Sequence, residues 1–322
     1  MKGNVWQANL NPEKWHSRIP FYGRVLGEAQ VEVVGDSPAV TDQEIKYAHE
    51  GGLDYWIFLF QNQEDWREGK NNYGLVNYLA SSNKDKLGFC LMILPAPAER
   101  WQRLGELLIE LAKEPTYQAV DGRPLVYLLL WDTYGDPERW WGNLETGKKM
   151  IEALRRQFIQ AGFKNPYLVD LSMTVELAVR YSSAMGIDAI GAYANWSTGT
   201  YQDLAAKNRQ FWQDWNKTGM QMVPLVNAGW DPRPRYESEH AHIYGEVRDW
   251  AEQPSPKELA DHLQAALEWV EEHPESCPAR TVMIYAWNET DEGSWLVPTL
   301  AEGAARLEAI RRMRELREKG GK

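Results

Sequence analysis

Apolar residues in this chain fall into short continuous blocks, separated by stretches whose apolar positions recur every three or four residues. The blocks LDYWIFLFQN (53–62), LGFCLMILPAP (87–97), RPLVYLLLWD (123–132), NPYLVDLS (165–172), IDAIGAYAN (187–195), MQMVPLVNAGW (220–230) and TVMIYAWNE (281–289) read as strands. Several run apolar without polar alternation, which is the pattern of strands covered on both faces. Pro224 is a mild objection to its block, because proline removes a ladder donor.

The intervening stretches read as helices. Trp101, Leu104, Leu107, Leu108 and Leu111 fall on one face of a helix over 98–115. Further helices are predicted at 147–162, 174–186, 200–217 and roughly 300–317. Over 254–273, Ser255 caps, Pro256 takes the first helical position and Glu258 closes a capping box. Over 40–52, Thr41 is the expected cap, with Glu44 at the third helical position.

Strands alternating with helices suit either a doubly wound parallel sheet or a (β/α)8 barrel. No glycine-rich loop follows the first strong strand, which weakens the dinucleotide-binding alternative. The expectation is one α/β domain over 1–322, a (β/α)8 TIM barrel. Its first strand is short or atypical, with only GNVWQAN (3–9) to supply it, or else the sequence begins after that strand.

Composition narrows the function classes. The formal charge is −11, from 46 acidic and 35 basic residues, and no basic patch interleaves with aromatics. That argues against a nucleic-acid partner, which needs clustered Lys and Arg. No run reaches the roughly 18 to 20 apolar residues of a membrane span, so no membrane insertion is expected. No secretory leader is evident. The natural address is therefore left open: secreted or periplasmic if a leader has been removed, otherwise cytoplasmic. Cys90 and Cys277 are expected to be thiols, and the scattered histidines give no metal-ligand spacing. No metal or other cofactor is expected.

Barrel chemistry gathers at the carboxyl ends of the strands. The polar and aromatic residues there are Gln61, Asn62, Trp131, Asp132, Tyr134, Tyr193, Asn195, Trp196, Asn227, Trp230, Asp231, Trp287 and Asn288, with Trp295 just beyond. Rings beside amides and acids suit a glycan, whose apolar faces stack while its hydroxyls take polar partners. Bland readings compete. Asn195 and Asn227 can close turns, Asp231 and Arg233 can brace a proline-rich loop, Trp140 and Trp141 can be packing residues, and any one of the 16 Trp is more readily core than platform.

Glu289 and Glu292 in YAWNETDEGSW (285–295) are the candidate catalytic residues. Residues three apart on a strand face opposite sides, so both reach one pocket only if the chain turns through Thr290, Asp291 and Gly293. Two close carboxylates then divide into one acid and one base, as glycoside cleavage requires. The competing reading is a solvated acidic turn.

The segment AWNETDEGSWLVP resembles the WNEW-x-EG segment of glycoside hydrolase family 99, the endo-α-mannosidase and endo-α-mannanase group, and of the related WbsX-like proteins of polysaccharide gene clusters. AHEGGLDYWIFLF, YQAVDGRPLVYLL, GIDAIGAYANW and PLVNAGWDPRPR are similar to that family's barrel segments in the same order, across much of 40–298. The resemblance implies a metal-free barrel acting on glycans with retention. It implies that Glu289 is the base on the sugar 2-hydroxyl, which attacks the anomeric carbon to give a 1,2-anhydro intermediate, and that Glu292 is the general acid and then base. This chain departs in having Thr290 where the family commonly has Trp, in lacking an acidic ending in LPAPAERW, and in its first strand. The alternatives are a polysaccharide-biosynthesis glycosyltransferase and a non-catalytic carbohydrate-binding barrel. Sugar, linkage, endo or exo action and oligomeric state are not set by these residues.

Overall fold

The computed structural model describes residues 5–60, 72–131, 135–238 and 249–320. Gln61, Asn62, Asp132 and Tyr134 lie outside them. The strands Tyr55–Phe60, Gly88–Ile93, Arg123–Leu128, Tyr167–Leu171, Ala189–Gly191 and Gln221–Met222 pair in chain order, each parallel to the next. Leu225–Asn227 then pairs in parallel with Met283–Tyr285. These follow the predicted blocks. Pro224 splits the sixth block, yet its carbonyl still accepts from Met283 N at 2.9 Å, so the break costs a donor and keeps an acceptor. The mixed α/β architecture with a parallel central sheet is that of a TIM barrel.

Consecutive residues on a strand feed opposite faces. Cys90 and Met92 join one apolar cluster, with Tyr127, Val169 and Leu171. Phe89, Leu91 and Ile93 join another, with Leu104 and Leu108 of the helix Ala98–Leu111 and Ile151, Leu154 and Phe158 of Leu144–Gln160. Both faces are thus covered, which accounts for the unbroken apolar runs. Ser255 and Glu258 form their capping box on Pro256–Glu272. The helix at 40–52 starts earlier than expected. It spans Pro38–Glu50, capped by Ser37 with proline at the first turn, and this leaves Thr41 and Glu44 mid-helix, facing inward.

The N-terminal segment corrects one expectation. Residues Val5–Asn9 form a short helix rather than a first strand. Its polar side chains tie it to other segments: Gln7 accepts from Val33 N at 3.1 Å, in the hairpin Gly23–Gly27/Gln30–Val33, and Asn9 donates to Asp291 at 2.8 Å. Among the described residues, Tyr55–Phe60 and Met283–Tyr285 are each paired on one side only. A cavity of about 390 Å³ runs between these facing edges, crossed by the Tyr55 and Thr281 hydroxyls at 2.8 Å and by the Trp56 and Trp287 rings at 5.1 Å. Glu44, Tyr193, Asn288 and Glu289 line the cavity where the strands end.

Candidate active site

After Met283–Tyr285 the chain makes the turn that a shared pocket demands. Asn288–Glu289 pairs antiparallel with Ser294–Trp295, and Thr290–Glu292 forms a single 3-10 turn between them. Gly293 closes it at φ 73°, a left-handed conformation that costs glycine little. A Cβ there would lie 2.5 Å from the backbone nitrogen of Asp231. Gly229 approaches from the other side, where a Cβ would lie 2.2 Å from the Gly293 carbonyl. The two glycines let the 229–233 loop press on the acidic turn, and Asp231 N bonds the Glu292 carbonyl at 2.7 Å.

That approach delivers Arg235, on the helical turn Arg233–Tyr236. Its Nη2 donates to Glu289 Oε2 at 3.0 Å, its Nη1 to Glu292 Oε1, and its Nε to Asp291 Oδ2 at 2.8 Å. Glu289 and Glu292, expected in one pocket, therefore meet on one guanidinium. The second oxygen of Glu292 accepts from the Tyr285 hydroxyl, whereas Glu289 Oε1 has no hydrogen-bond partner among the described residues. Burial raises both carboxyls above the usual range, and Arg235 opposes the rise in each. Burial also works against the Arg235 charge, but Glu292, Asp291 and Glu289 outweigh it and hold the guanidinium firmly protonated.

Aromatic residues border the acids. The Tyr193 ring lies 5.0 Å from Tyr285 and 6.3 Å from Trp131; Trp230 lies 6.4 Å from Tyr285 and 6.4 Å from Trp196. Trp131, Tyr193, Trp196 and Trp230 are all partly exposed, as a stacking surface must be. Trp287 is partly exposed as well, and its indole donates to Glu44 Oε1 at 2.9 Å. Asn288 is exposed beside them.

Other residues from the strand ends lie beneath this surface. Asn195 donates to Asn208 at 3.0 Å, Asn208 to Asn227 at 3.0 Å and Asn227 to the Asn195 carbonyl at 2.9 Å, and all three are buried. Their amides hold strand ends together and are not presented to a ligand. Asp231 is 1 % exposed and bonds Arg18 and Arg233, the latter at 2.7 Å, so the loop-bracing reading describes it. Trp295 is 3 % exposed under the Arg306 guanidinium, 3.8 Å from its ring. Asn195, Asn227, Asp231 and Trp295 thus have supporting places, because each polar group or ring face is already taken by the protein. Trp141 is buried with its indole on the Ala96 carbonyl at 2.9 Å, a packing role.

Sequence reading missed Arg235, Tyr285 and Glu44. Tyr285 sits inside the quoted motif and Glu44 was read only as a capping residue. Arg235 carries no local signal, because Arg233 two residues earlier satisfies the nearest acid.

A family described as "Glycosyltransferase WbsX" matches residues 91–310. No curated protein matches the chain. Among solved structures, the family 99 endo-α-mannosidase of Bacteroides thetaiotaomicron is similar in two forms. With bis-tris propane bound it has a TM-score of 0.63 at 14% identity over 95% of this chain and 90% of that one. The other form has 0.64 at 14% identity over 94% and 85%. A "Glycoside hydrolase-like protein" gives 0.58 at 10% identity over 92% and 88%. At such identities the likeness establishes the fold, a glycoside hydrolase-like barrel, and the matched residues, more than half of the chain, place it in the WbsX family.

Proposed function

We propose that the protein is a retaining glycoside hydrolase that cleaves a poly- or oligosaccharide, endo-acting, with Glu289 and Glu292 as its catalytic pair. One observation carries the reading: both acids, from a turn at the end of the last barrel strand, converge on Arg235 beside partly exposed aromatic rings. The likeness in fold to endo-α-mannosidases supports it.

Each acid suits the role the family resemblance gives it. Among the described residues Glu289 Oε1 has no hydrogen-bond partner, and we assign that oxygen the proton of the sugar 2-hydroxyl. That hydroxyl then attacks the anomeric carbon as the glycosidic bond breaks. Glu292 protonates the leaving oxygen. Its neighbour Tyr285 can serve both states, because a phenol donates to a carboxylate and accepts from a carboxylic acid. Water, deprotonated by Glu292, attacks the anomeric carbon of the 1,2-anhydro sugar, the bond from that carbon to the 2-oxygen breaks, and Glu289 returns its proton to the 2-oxygen, which restores the configuration. Trp131, Tyr193, Trp196, Trp230 and Trp287, with Asn288, form the proposed glycan surface.

The family's description favours a second reading, transfer of a sugar from an activated donor. Incubating purified protein with a polysaccharide panel, with and without nucleotide sugars, and chromatographing the products separates the two. Hydrolysis yields shorter fragments with no donor present; transfer consumes donor and lengthens the acceptor. Donor-dependent elongation without fragments overturns the proposal.

A further inference from the structure

We propose that Arg235 is the positioning residue of the carboxylate pair: one guanidinium spans Glu289 and Glu292, anchors itself on Asp291, and fixes which carboxyl oxygens face a substrate. This inference rests on the hydrolase reading for its consequence in catalysis, but not for its geometry.

The argument begins with the anchor. Asp291 is buried and takes two bonds from Arg235, Nε to Oδ2 at 2.8 Å and Nη2 to Oδ1 at 3.1 Å, while Asn9 donates to Oδ2 at 2.8 Å. A two-point contact between planar groups fixes the guanidinium in orientation as well as position. Nη1 then meets Glu292 and Nη2 also meets Glu289. Lysine, a point charge without a fork, cannot hold that arrangement. Asp291 thus acts through Arg235, which explains a buried acid lodged between two working ones.

The geometry leaves the two acids unlike each other. Glu292 has both oxygens engaged, by Arg235 and Tyr285, and Glu289 has only Oε2 engaged among the described residues. Among the described residues, the other ionisable groups facing the pair are Tyr193, which lies close to both acids, and Tyr236 on the Arg235 turn. Arg18, Asp231 and Arg233 form a separate ion cluster beneath the adjoining loop. Among the described residues Arg235 is therefore the cation that offsets burial at both acids. Its removal raises both carboxyls further, and the sign follows: the base ionises only at higher pH, so the acidic limb of activity moves up.

The test uses the full chain with 13C-labelled Glu carboxyls, assigned through Glu289→Gln and Glu292→Gln. In Arg235→Gln at least one of the two acids should titrate about one pH unit or more higher than in the wild type. On any glycan the wild type cleaves, kcat should fall on the order of 100-fold with KM within about threefold, and the acidic limb should shift upward. Arg235→Lys should hold the titration nearer the wild type while leaving kcat low, since it returns charge without the fork. Unchanged titration in Arg235→Gln overturns the proposal, as does full kcat in Arg235→Lys. Should Arg235→Gln fail to fold, Arg235→Lys decides alone: both acids titrating as in the wild type with full kcat overturns it. If the wild type cleaves no glycan, the hydrolase reading fails while the titration still decides this one.

Discussion

The Trp287 indole donates to the partly buried Glu44 carboxyl at 2.9 Å, joining the helix ahead of the first strong strand to the segment that carries the two acids. Burial, partly offset by this bond, pushes Glu44 up to about 7. The folded protein therefore keeps a proton that the unfolded chain releases near pH 4. The Glu44 contribution is fully present below that value and is lost as pH rises through about 7. Glu44→Gln, whose amide oxygen still accepts from Trp287, should flatten the loss. Denaturant melts of both proteins between pH 4 and 8 measure it. The difference should grow with pH to about 1 to 3 kcal/mol in favour of the variant.

Thr290 stands where the resembling family commonly carries Trp, and its side chain is wholly buried with no hydrogen-bond partner for Oγ1 among the described residues. It packs under the acidic turn and offers no stacking face. Thr290→Val removes an unsatisfied hydroxyl at nearly constant shape. It should leave stability unchanged or raise it by up to about 1 kcal/mol, whereas Thr290→Trp overpacks the site and should cost about 1 to 3 kcal/mol or more. Thermal melts rank the three proteins.

The Gly293 turn is the mechanical basis of the site. Gly293→Ala sets a methyl against the Asp231 backbone at a left-handed residue, so the 229–233 loop must retreat and take Arg235 with it. A loss of about 1 to 3 kcal/mol in stability is expected, with a larger fractional loss of turnover than of melting temperature. Wild-type turnover in Gly293→Ala contradicts this account of the turn.

How far these features could be read in the sequence depended on their range. Unbroken apolar runs such as 87–97 and 123–132 revealed strands because burial on both faces leaves a mark on every residue. The Ser255 capping box was equally legible, being set by neighbours three residues apart. The turn between Glu289 and Glu292 followed from alternation plus a glycine. Arg235 did not, because its partners lie more than fifty residues away and charge carries no address. The buried chain of Asn195, Asn208 and Asn227 was hidden for the same reason: strand-end amides look alike in sequence whether they face a ligand or one another. Segment 3–9 offers a first strand only for want of another candidate, the alternative being a sequence that begins after that strand, and the helix Val5–Asn9 found there is fixed by contacts to a hairpin and to Asp291.

Tyr285 separates positioning from acid chemistry. Its hydroxyl meets Glu292, while its ring packs between Tyr193 and Trp230. Tyr285→Phe keeps the ring and should preserve the melting temperature, lowering kcat about 10- to 100-fold with little change in KM. Trp230→Ala should instead raise KM, as loss of a stacking face weakens ground state and transition state alike. Steady-state kinetics on one cleaved glycan distinguishes the two patterns.

The central claim is that Glu289 and Glu292 cleave a glycosidic bond with retention. Its most direct measurement is proton NMR of the first anomer released from a cleaved polysaccharide, recorded before mutarotation, for the wild type and for folded Glu292→Gln. The account predicts the substrate's own anomeric configuration from the wild type, and a loss of release on the order of 1,000-fold or more in Glu292→Gln. An inverted product, or wild-type release by Glu292→Gln, contradicts it.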